Sequence, residues 1–348
     1  MFSNVQMLRA YAAVLVVLYH SLPHYEAMNG SSAILKSISA WGFAGVDIFF
    51  VISGFVIAHS TLYKERNIGN CIRFLRHRLS RIYLGYWPFF VAAYLAALTF
   101  SPSSLEGIDL FDSFFLTSTN MFELLLPVSW SLGYELYFYI FFALLFAVRS
   151  ETVKVILPVI FVAIALVSVF IHIENDSLLS FFLSPFLLEF LSGALLYICK
   201  DKLNNKWLII LGVLVAVSAY SYGVHIDAKN GVYRIYTFGV ASFAVVLIAL
   251  TLEQCGMYKA NKYIAAIGDS SYTLYLSHLL LLQLFYFSGI RTYLSSQNQW
   301  LVEVGFASFI LFCVSFSYFF YSKVELPLYK LACKIKFKPL PSSIITKT

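Results

Sequence analysis

The chain has 348 residues, of which 60% are hydrophobic and only 12% are charged, and its mean hydropathy is +0.79. Soluble globular domains carry about twice this share of charged residues. The composition therefore excludes an ordinary soluble enzyme and indicates an integral membrane protein. The net charge of +6 does not point to nucleic acid, and we expect no such partner, because in a membrane protein the placement of the charges matters more than their sum.

Ten apolar segments follow one another along the chain, and a helix that crosses a bilayer needs about 20 such residues. The segments are 8–25, 43–62, 82–100, 129–148, 153–172, 178–199, 207–223, 235–252, 264–287 and 300–322. No soluble domain separates them. We therefore predict an all-α integral membrane protein with a bundle of about ten transmembrane helices, one domain over residues 1–330 and a short basic cytoplasmic tail, 331–348.

The basic residues are distributed unevenly between the loops. If both termini are cytoplasmic, 20 of the 24 Lys and Arg residues lie inside, and only Lys36, Lys229, Arg234 and Arg291 lie in outer loops. Basic residues near membrane helices favour the cytoplasmic side. We therefore predict a multi-pass protein with both termini in the cytoplasm.

Four ionisable residues, His20, Asp47, Glu135 and His278, lie within apolar segments, where such residues are costly and commonly functional. His20 and His278 lie roughly 18 and 21 Å from the cytoplasmic ends of their helices, whereas Glu135 and Asp47 lie roughly 9 and 6 Å below the outer ends. All four are thus in the outer half of the membrane. We predict that they are catalytic, with histidine as a general base and a carboxylate that orients it. The alternative for His20 is a core histidine with a structural hydrogen bond.

Arg9 precedes His20 by eleven residues, which is close to three helical turns, so the two share a helix face that continues to His24. This face predicts a passage that begins at the cytoplasmic end. The alternative is that Arg9 only reaches towards lipid headgroups.

The stretch "RFLRHRLSRIYLGYW", residues 73–87, brings four arginines to the cytoplasmic end of a helix. Such a cluster fixes topology, but arginine also binds phosphate in a bidentate manner. We therefore predict that a phosphate-bearing donor binds to Arg9, Arg76, His77, Arg78 and Arg81. The five cysteines have no metal-ligand spacing, and we expect neither a structural zinc site nor another metal.

Six blocks resemble, in order, those of the membrane acyltransferases of family three. They are the pair Arg9 and His20, "GVDIFFVISGF" (45–55), the arginine block (73–87), "WSLGYELYFY" (130–139), "YTLYLSH" (272–278) and "VELP" (324–327). Each block is weak by itself, but together they cover nearly the whole chain. Two positions depart from the family pattern, since His77 stands where an arginine is common and Leu84 where a proline is usual.

The resemblance implies that the protein transfers an acyl group, most often acetyl from cytoplasmic acetyl-CoA, to a carbohydrate hydroxyl. In bacteria the acceptor is a lipid-linked or surface polysaccharide, such as O-antigen of lipopolysaccharide, exopolysaccharide or capsule, and the enzyme lies in the inner membrane among its lipids. We expect His20 to act as the base or as a transient acyl carrier. His278 would position the acceptor or move a proton, and the sugar would contact Trp130, Tyr134 and His24.

Two alternatives belong to other classes of protein. A transporter or flippase for a glycolipid or sugar also uses buried charges, but it commonly shows internal repeats and broken helices, which this sequence lacks. A glycan polymerase that uses a lipid-linked donor is expected to carry its arginines on the outer side, whereas here they are predicted to face inward.

Overall fold

The computed structural model describes residues 2–171 and 178–334, and within these ranges every regular element is helical. In chain order the helices are α1 (Ser3–Ala27), α2 (Ala33–Ala40), α3 (Gly45–Thr61), α4 (Ile68–Phe100), α5 (Leu110–Phe115), α6 (Trp130–Leu144), α7 (Ser150–Phe170), α8 (Leu178–Phe182), α9 (Phe186–Ile198), α10 (Trp207–His225), α11 (Gly231–Arg234), α12 (Val240–Gln254), α13 (Lys262–Asp269), α14 (Ser271–Phe287), α15 (Ile290–Ser295), α16 (Gln299–Phe320) and α17 (Leu326–Lys334). Of the predicted basic tail, only residues 331–334 lie in the described part, at the end of α17, and the rest lies outside the described residues.

Nine helices in the described ranges are long and apolar enough to cross a membrane, which confirms an all-α integral membrane protein. The predicted segment 264–287 is divided by a turn at Ser270 into α13 and α14. With 17 residues, α14 is about 26 Å long, slightly shorter than the roughly 30 Å hydrocarbon core. It belongs to the ninth of the ten predicted segments and is not among these nine helices. The side on which the termini lie stays a prediction from the basic residues.

Asparagine side chains begin three of the helices. Asn67, Asn261 and Asn298 each accept a hydrogen bond from a backbone N–H in the first turn of α4, α13 and α16. These bonds satisfy N–H groups that have no partner inside the helix. The start of α4 is therefore defined locally by Asn67, two turns before the arginine cluster.

Two glycines allow α3 and α9 to pack backbone to backbone. A Cβ atom added at Gly54 would lie 1.8 Å from the Phe190 carbonyl oxygen, and one added at Gly193 would lie 1.9 Å from that of Val51. Small residues permit such close approach of membrane helices. Because Gly54 faces α9, the preceding residue, Ser53, is turned towards the interior between α3 and α6, where the candidate site lies.

Candidate functional site

A cavity with about 820 Å³ of empty space lies between α1, α3, α4, α6 and α14. On α3 its lining extends from Val46 to Val56, a separation that corresponds to roughly 15 Å along a helix axis. Arg78 lies at the end of the cavity next to Val56, because its Nη2 atom is 3.5 Å from the Val56 carbonyl oxygen. Arg9 and Arg81 also line this cavity. Three of the five predicted donor-binding residues therefore converge on one space, which we call the arginine cavity.

The three arginines of this cavity are held to different degrees. Arg78 donates to Ser60 Oγ at 2.9 Å and lies 5.5 Å from the Tyr139 ring centroid. Arg9 donates to Gln6 Oε1 at 3.3 Å. Arg81 forms no hydrogen bond or ion pair with any described residue. Since each guanidinium has five N–H donors, the cavity retains many donors for an anionic ligand such as a phosphate.

Arg76 and His77 are directed away from the arginine cavity, towards α17. Arg76 Nη2 donates to the Cys333 carbonyl oxygen at 3.0 Å, and His77 Nδ1 lies 3.2 Å from Tyr329 Oη and 3.1 Å from Cys333 Sγ. Arg78 and Arg81, three residues apart on the same helix, line the cavity instead. The arginine block is therefore divided, and only Arg78 and Arg81 face the cavity.

Glu135 lies inside the arginine cavity, one position after Tyr134 on α6. Its Oε1 atom accepts hydrogen bonds from the hydroxyl groups of Tyr139 and, at 3.3 Å, Ser53. The carboxylate is thus held at a fixed place among the arginines. Ser53 lines the cavity, whereas the neighbouring Gly54 packs against α9.

His20 and His278 meet between α1 and α14. His278 Nε2 lies 3.2 Å from His20 Nδ1, and the ring centroids are 5.0 Å apart. His278 is fully buried, whereas His20 is partly exposed. Neither Asp47 nor Glu135 forms a hydrogen bond with His20, so the carboxylate contact expected from the sequence is replaced by a contact between two histidines.

The hydrogen-bond partners of the two rings determine their tautomers. His278 Nδ1 lies 3.3 Å from the Leu274 carbonyl oxygen, and His20 Nδ1 lies 3.0 Å from that of Val16. A carbonyl oxygen only accepts, so in the neutral rings both Nδ1 atoms carry the hydrogen and both Nε2 atoms are acceptors. The single Nδ1 hydrogen of His20 is then shared between two acceptors, the Val16 carbonyl oxygen and His278 Nε2. This leaves His20 Nε2 as an unprotonated acceptor, with no described partner, which is the form that a general base requires.

Tyr275 connects the arginine cavity to the histidine pair. Its side chain lines the cavity, its ring centroid lies 6.0 Å from that of His278, and its hydroxyl donates to the Val128 carbonyl oxygen at 2.7 Å. Neither His20 nor His278 is among the described residues that line the cavity. The two histidines therefore lie beside the cavity, one layer of side chains away from it.

Asp47 belongs to a separate buried group of charges. Its two carboxylate oxygens accept hydrogen bonds from Nε and Nη2 of Arg234 at 3.0 and 2.9 Å, and both residues are buried. A second carboxyl group, that of Glu189 on α9, is buried beside this pair. Arg234, predicted in an outer loop, is instead the last residue of α11 and is buried, and Asp47 provides the bidentate partner that makes burial of its charge tolerable.

The residues predicted to contact the sugar are dispersed. Trp130 packs against Phe186, with ring centroids 5.2 Å apart. Tyr134 lines a second cavity, which is distinct from the arginine cavity. His24 lies further along α1, and its ring centroid is 6.5 Å from that of Tyr286. Among the described residues, no group of three His, Cys, Asp or Glu side chains is arranged to hold a metal ion.

Comparisons with known proteins match a region of the chain that contains this site. The sequence matches the family described as Acyltransferase domain over residues 2–320. It is 29% identical, over 248 residues, to the exopolysaccharide production protein ExoZ of Rhizobium meliloti (strain 1021), an alignment that covers 68% of this chain and 75% of that protein. No solved structure matches the chain. The family match includes the arginine cavity and both histidines.

Proposed function

The chain belongs to the acyltransferase family that it matches over residues 2–320, and on this premise we propose that it transfers acetyl from cytoplasmic acetyl-CoA to a carbohydrate hydroxyl. The acceptor is a polysaccharide of the exopolysaccharide class, and the membrane is the bacterial inner membrane. The name of the relative from Rhizobium meliloti supports this class of acceptor. The observation that supports this proposal is a single cavity lined by three arginines and by Tyr275. The ring of Tyr275 packs beside His278 of the histidine pair.

The donor binds with its phosphates at Arg9, Arg78 and Arg81. Arginine is suited to phosphate because its planar guanidinium donates two parallel hydrogen bonds. From this end the cavity extends roughly 15 Å along α3, so the long arm of the donor carries the thioester towards Tyr275. Glu135, held by Tyr139 and Ser53, balances part of the arginine charge along the way.

His20 acts on the acceptor. Its free Nε2 atom takes the proton of the sugar hydroxyl, and the oxygen attacks the thioester carbonyl carbon. The C–S bond then breaks, the acetyl ester forms, and the thiolate leaves as CoA after it takes up the proton from His20. His278 keeps Nδ1 of His20 in its protonated form and directs the ring. In a second route His20 carries the acetyl group transiently before the sugar attacks.

A reconstituted assay tests this function. Purified protein in nanodiscs receives acetyl-labelled acetyl-CoA and oligosaccharides prepared from alkali-treated surface polysaccharide, and the label in the carbohydrate is measured. We expect transfer by the natural protein and a loss of about 100-fold or more in His20→Ala, since general bases contribute factors of that order. His225→Ala, an exposed histidine at the end of α10, is the matched control. Absence of label in the carbohydrate with the natural protein would refute the function.

A further inference from the structure

A second cavity, with about 2570 Å³ of empty space, lies beside the start of α6. It is bounded by the segment 117–123, the end of α7, the segment from α8 to the start of α9, and α11. Since α7 ends and α9 begins there, the cavity lies at the end of the bundle opposite to the start of α4 and its arginine cluster. We call it the outer groove.

The lining of the outer groove differs in charge from that of the arginine cavity. No Lys or Arg residue is among the described residues that line it, and its one charged side chain, Glu123, accepts a hydrogen bond from Asn120 at 2.9 Å. Hydroxyl groups are frequent, including those of Thr117, Ser118 and Thr119. A phosphate-bearing donor has no cation to bind here, whereas hydroxyl and amide groups suit a neutral ligand that carries many hydroxyls.

Aromatic side chains also line the outer groove. Phe122 is 83% exposed, which is unusual for a phenylalanine on a loop without a partner. Tyr134 stacks on Phe181, with centroids 5.2 Å apart and an interplanar angle of 29°. Flat aromatic faces pack against the C–H faces of sugar rings, while neighbouring hydroxyl groups hydrogen-bond to the sugar hydroxyls.

The outer groove and the arginine cavity are separated by a thin aromatic wall. Tyr134 and Glu135 are consecutive on α6 but line different cavities, the first the groove and the second the arginine cavity. Phe50 lines the arginine cavity and Phe186 the groove, and their ring centroids are 5.6 Å apart. A ligand in the groove is thus within one side-chain layer of the donor cavity.

We infer that the outer groove is the acceptor site and binds a neutral carbohydrate chain through Phe122, Tyr134 and the hydroxyl groups of segment 117–119. This inference rests on the proposed function, because it assumes that the protein has a carbohydrate acceptor. It goes further by placing Tyr134, already predicted to contact the sugar, in one groove with Phe122 and the segment 117–119, which the sequence analysis did not assign.

Steady-state kinetics of Phe122→Ala test the inference with the same oligosaccharides and acetyl-CoA. The ring is at the surface, so its removal does not endanger folding. We expect the KM for the oligosaccharide to rise about five- to tenfold, as for the loss of one aromatic contact, with an unchanged KM for acetyl-CoA. Phe122→Tyr retains the ring and should retain the natural KM. Phe111→Ala removes another exposed ring, 68% exposed on α5 outside the groove, and serves as the matched control.

Direct binding of the oligosaccharide, measured without donor, separates failure of the inference from failure of the function. If the natural protein transfers acetyl but Phe122→Ala has both natural KM values, the groove is not the acceptor site and the function stands. If no transfer occurs, weaker oligosaccharide binding by Phe122→Ala still supports the groove, whereas absence of binding by the natural protein overturns it. Displacement of the bound oligosaccharide by phosphatidylglycerol added in excess would assign the groove to lipid and overturn the inference.

Discussion

His278 and His20 are 258 positions apart in the chain, yet His278 Nε2 lies 3.2 Å from His20 Nδ1. This contact joins α1 to α14 and leaves Nε2 of His20 free to accept a proton. Each ring is also fixed by a carbonyl oxygen of its own helix. The pair thus combines a positioned base with the residue that orients it, without a carboxylate.

His278→Leu removes one of the two acceptors of the His20 Nδ1 hydrogen, leaving the Val16 carbonyl oxygen, and should lower kcat by up to about tenfold, the value of one hydrogen bond. The KM for acetyl-CoA should not change. His278→Gln offers an amide oxygen in place of Nε2 and should recover part of the activity. A loss in His278→Leu as complete as that in His20→Ala, with no recovery in His278→Gln, would indicate that His278 itself takes part in proton transfer.

Arg81→Gln should raise the KM for acetyl-CoA by roughly 10- to 100-fold, because a hydrogen bond to a charged group contributes about 1.5–3 kcal/mol. The guanidinium faces the arginine cavity and forms no hydrogen bond with a described residue, so the change breaks no protein hydrogen bond, although it removes a positive charge that interacts with Glu325 and Glu135. Arg73→Gln, on an exposed face of the same helix, should have the natural KM. Equal effects of the two substitutions would show that the helix contributes only a general positive charge.

Arg78 and Arg81, the two arginines of the block 73–87 that face the cavity, could be separated from Arg76 and His77 only with the structure. The sequence shows a basic block at a cytoplasmic helix end, and helical geometry predicts which of its members share a face. It does not indicate which face meets α1 and α6 and which meets α17. That depends on helix packing between segments more than 250 positions apart, such as Arg76 and Cys333.

Asp47→Asn should destabilise the protein by about 3–5 kcal/mol, since it leaves the charge of Arg234 buried without its partner. Thermal unfolding of the purified protein in detergent measures this loss. The double substitution Asp47→Leu with Arg234→Met should recover part of the stability, because neither member of the ion pair is then left buried without the other. Glu151→Gln breaks the exposed ion pair with Lys154 and should cost at most about 1 kcal/mol. An Asp47→Asn protein as stable as the natural one would mean that the pair does not hold α3 to α11.

This ion pair also shows the limit of sequence reasoning about charge. Asp47 stands out because it lies within an apolar segment, but Arg234 comes at the edge of one, where basic residues normally lie in loops. The partners are 187 positions apart. By contrast, the membrane helices themselves follow from local composition, and the break at Ser270 is the main place where one predicted segment becomes two helices.

Fusions test the predicted topology. A green fluorescent protein joined to residue 348 should fluoresce, and alkaline phosphatase joined there should be inactive, because the basic residues place this end in the cytoplasm. Alkaline phosphatase inserted in the loop after Ser101, on the predicted outer side, should be active. The opposite pattern would place the arginine cavity on the side that lacks acetyl-CoA and would contradict the donor route.

The central claim is that His20 is required for acetyl transfer to a polysaccharide. The most direct test measures ester-linked acetyl in the surface polysaccharide of a strain that lacks this protein. The strain is complemented with either the natural form or His20→Ala. Proton NMR before and after mild alkali measures the esters, with equal amounts of the two proteins in the membrane. We predict that the natural form restores the acetyl esters and His20→Ala does not. Full restoration of the acetyl esters by His20→Ala would contradict the role of His20. If the esters do not depend on the protein but polysaccharide export does, the result would support a transporter instead.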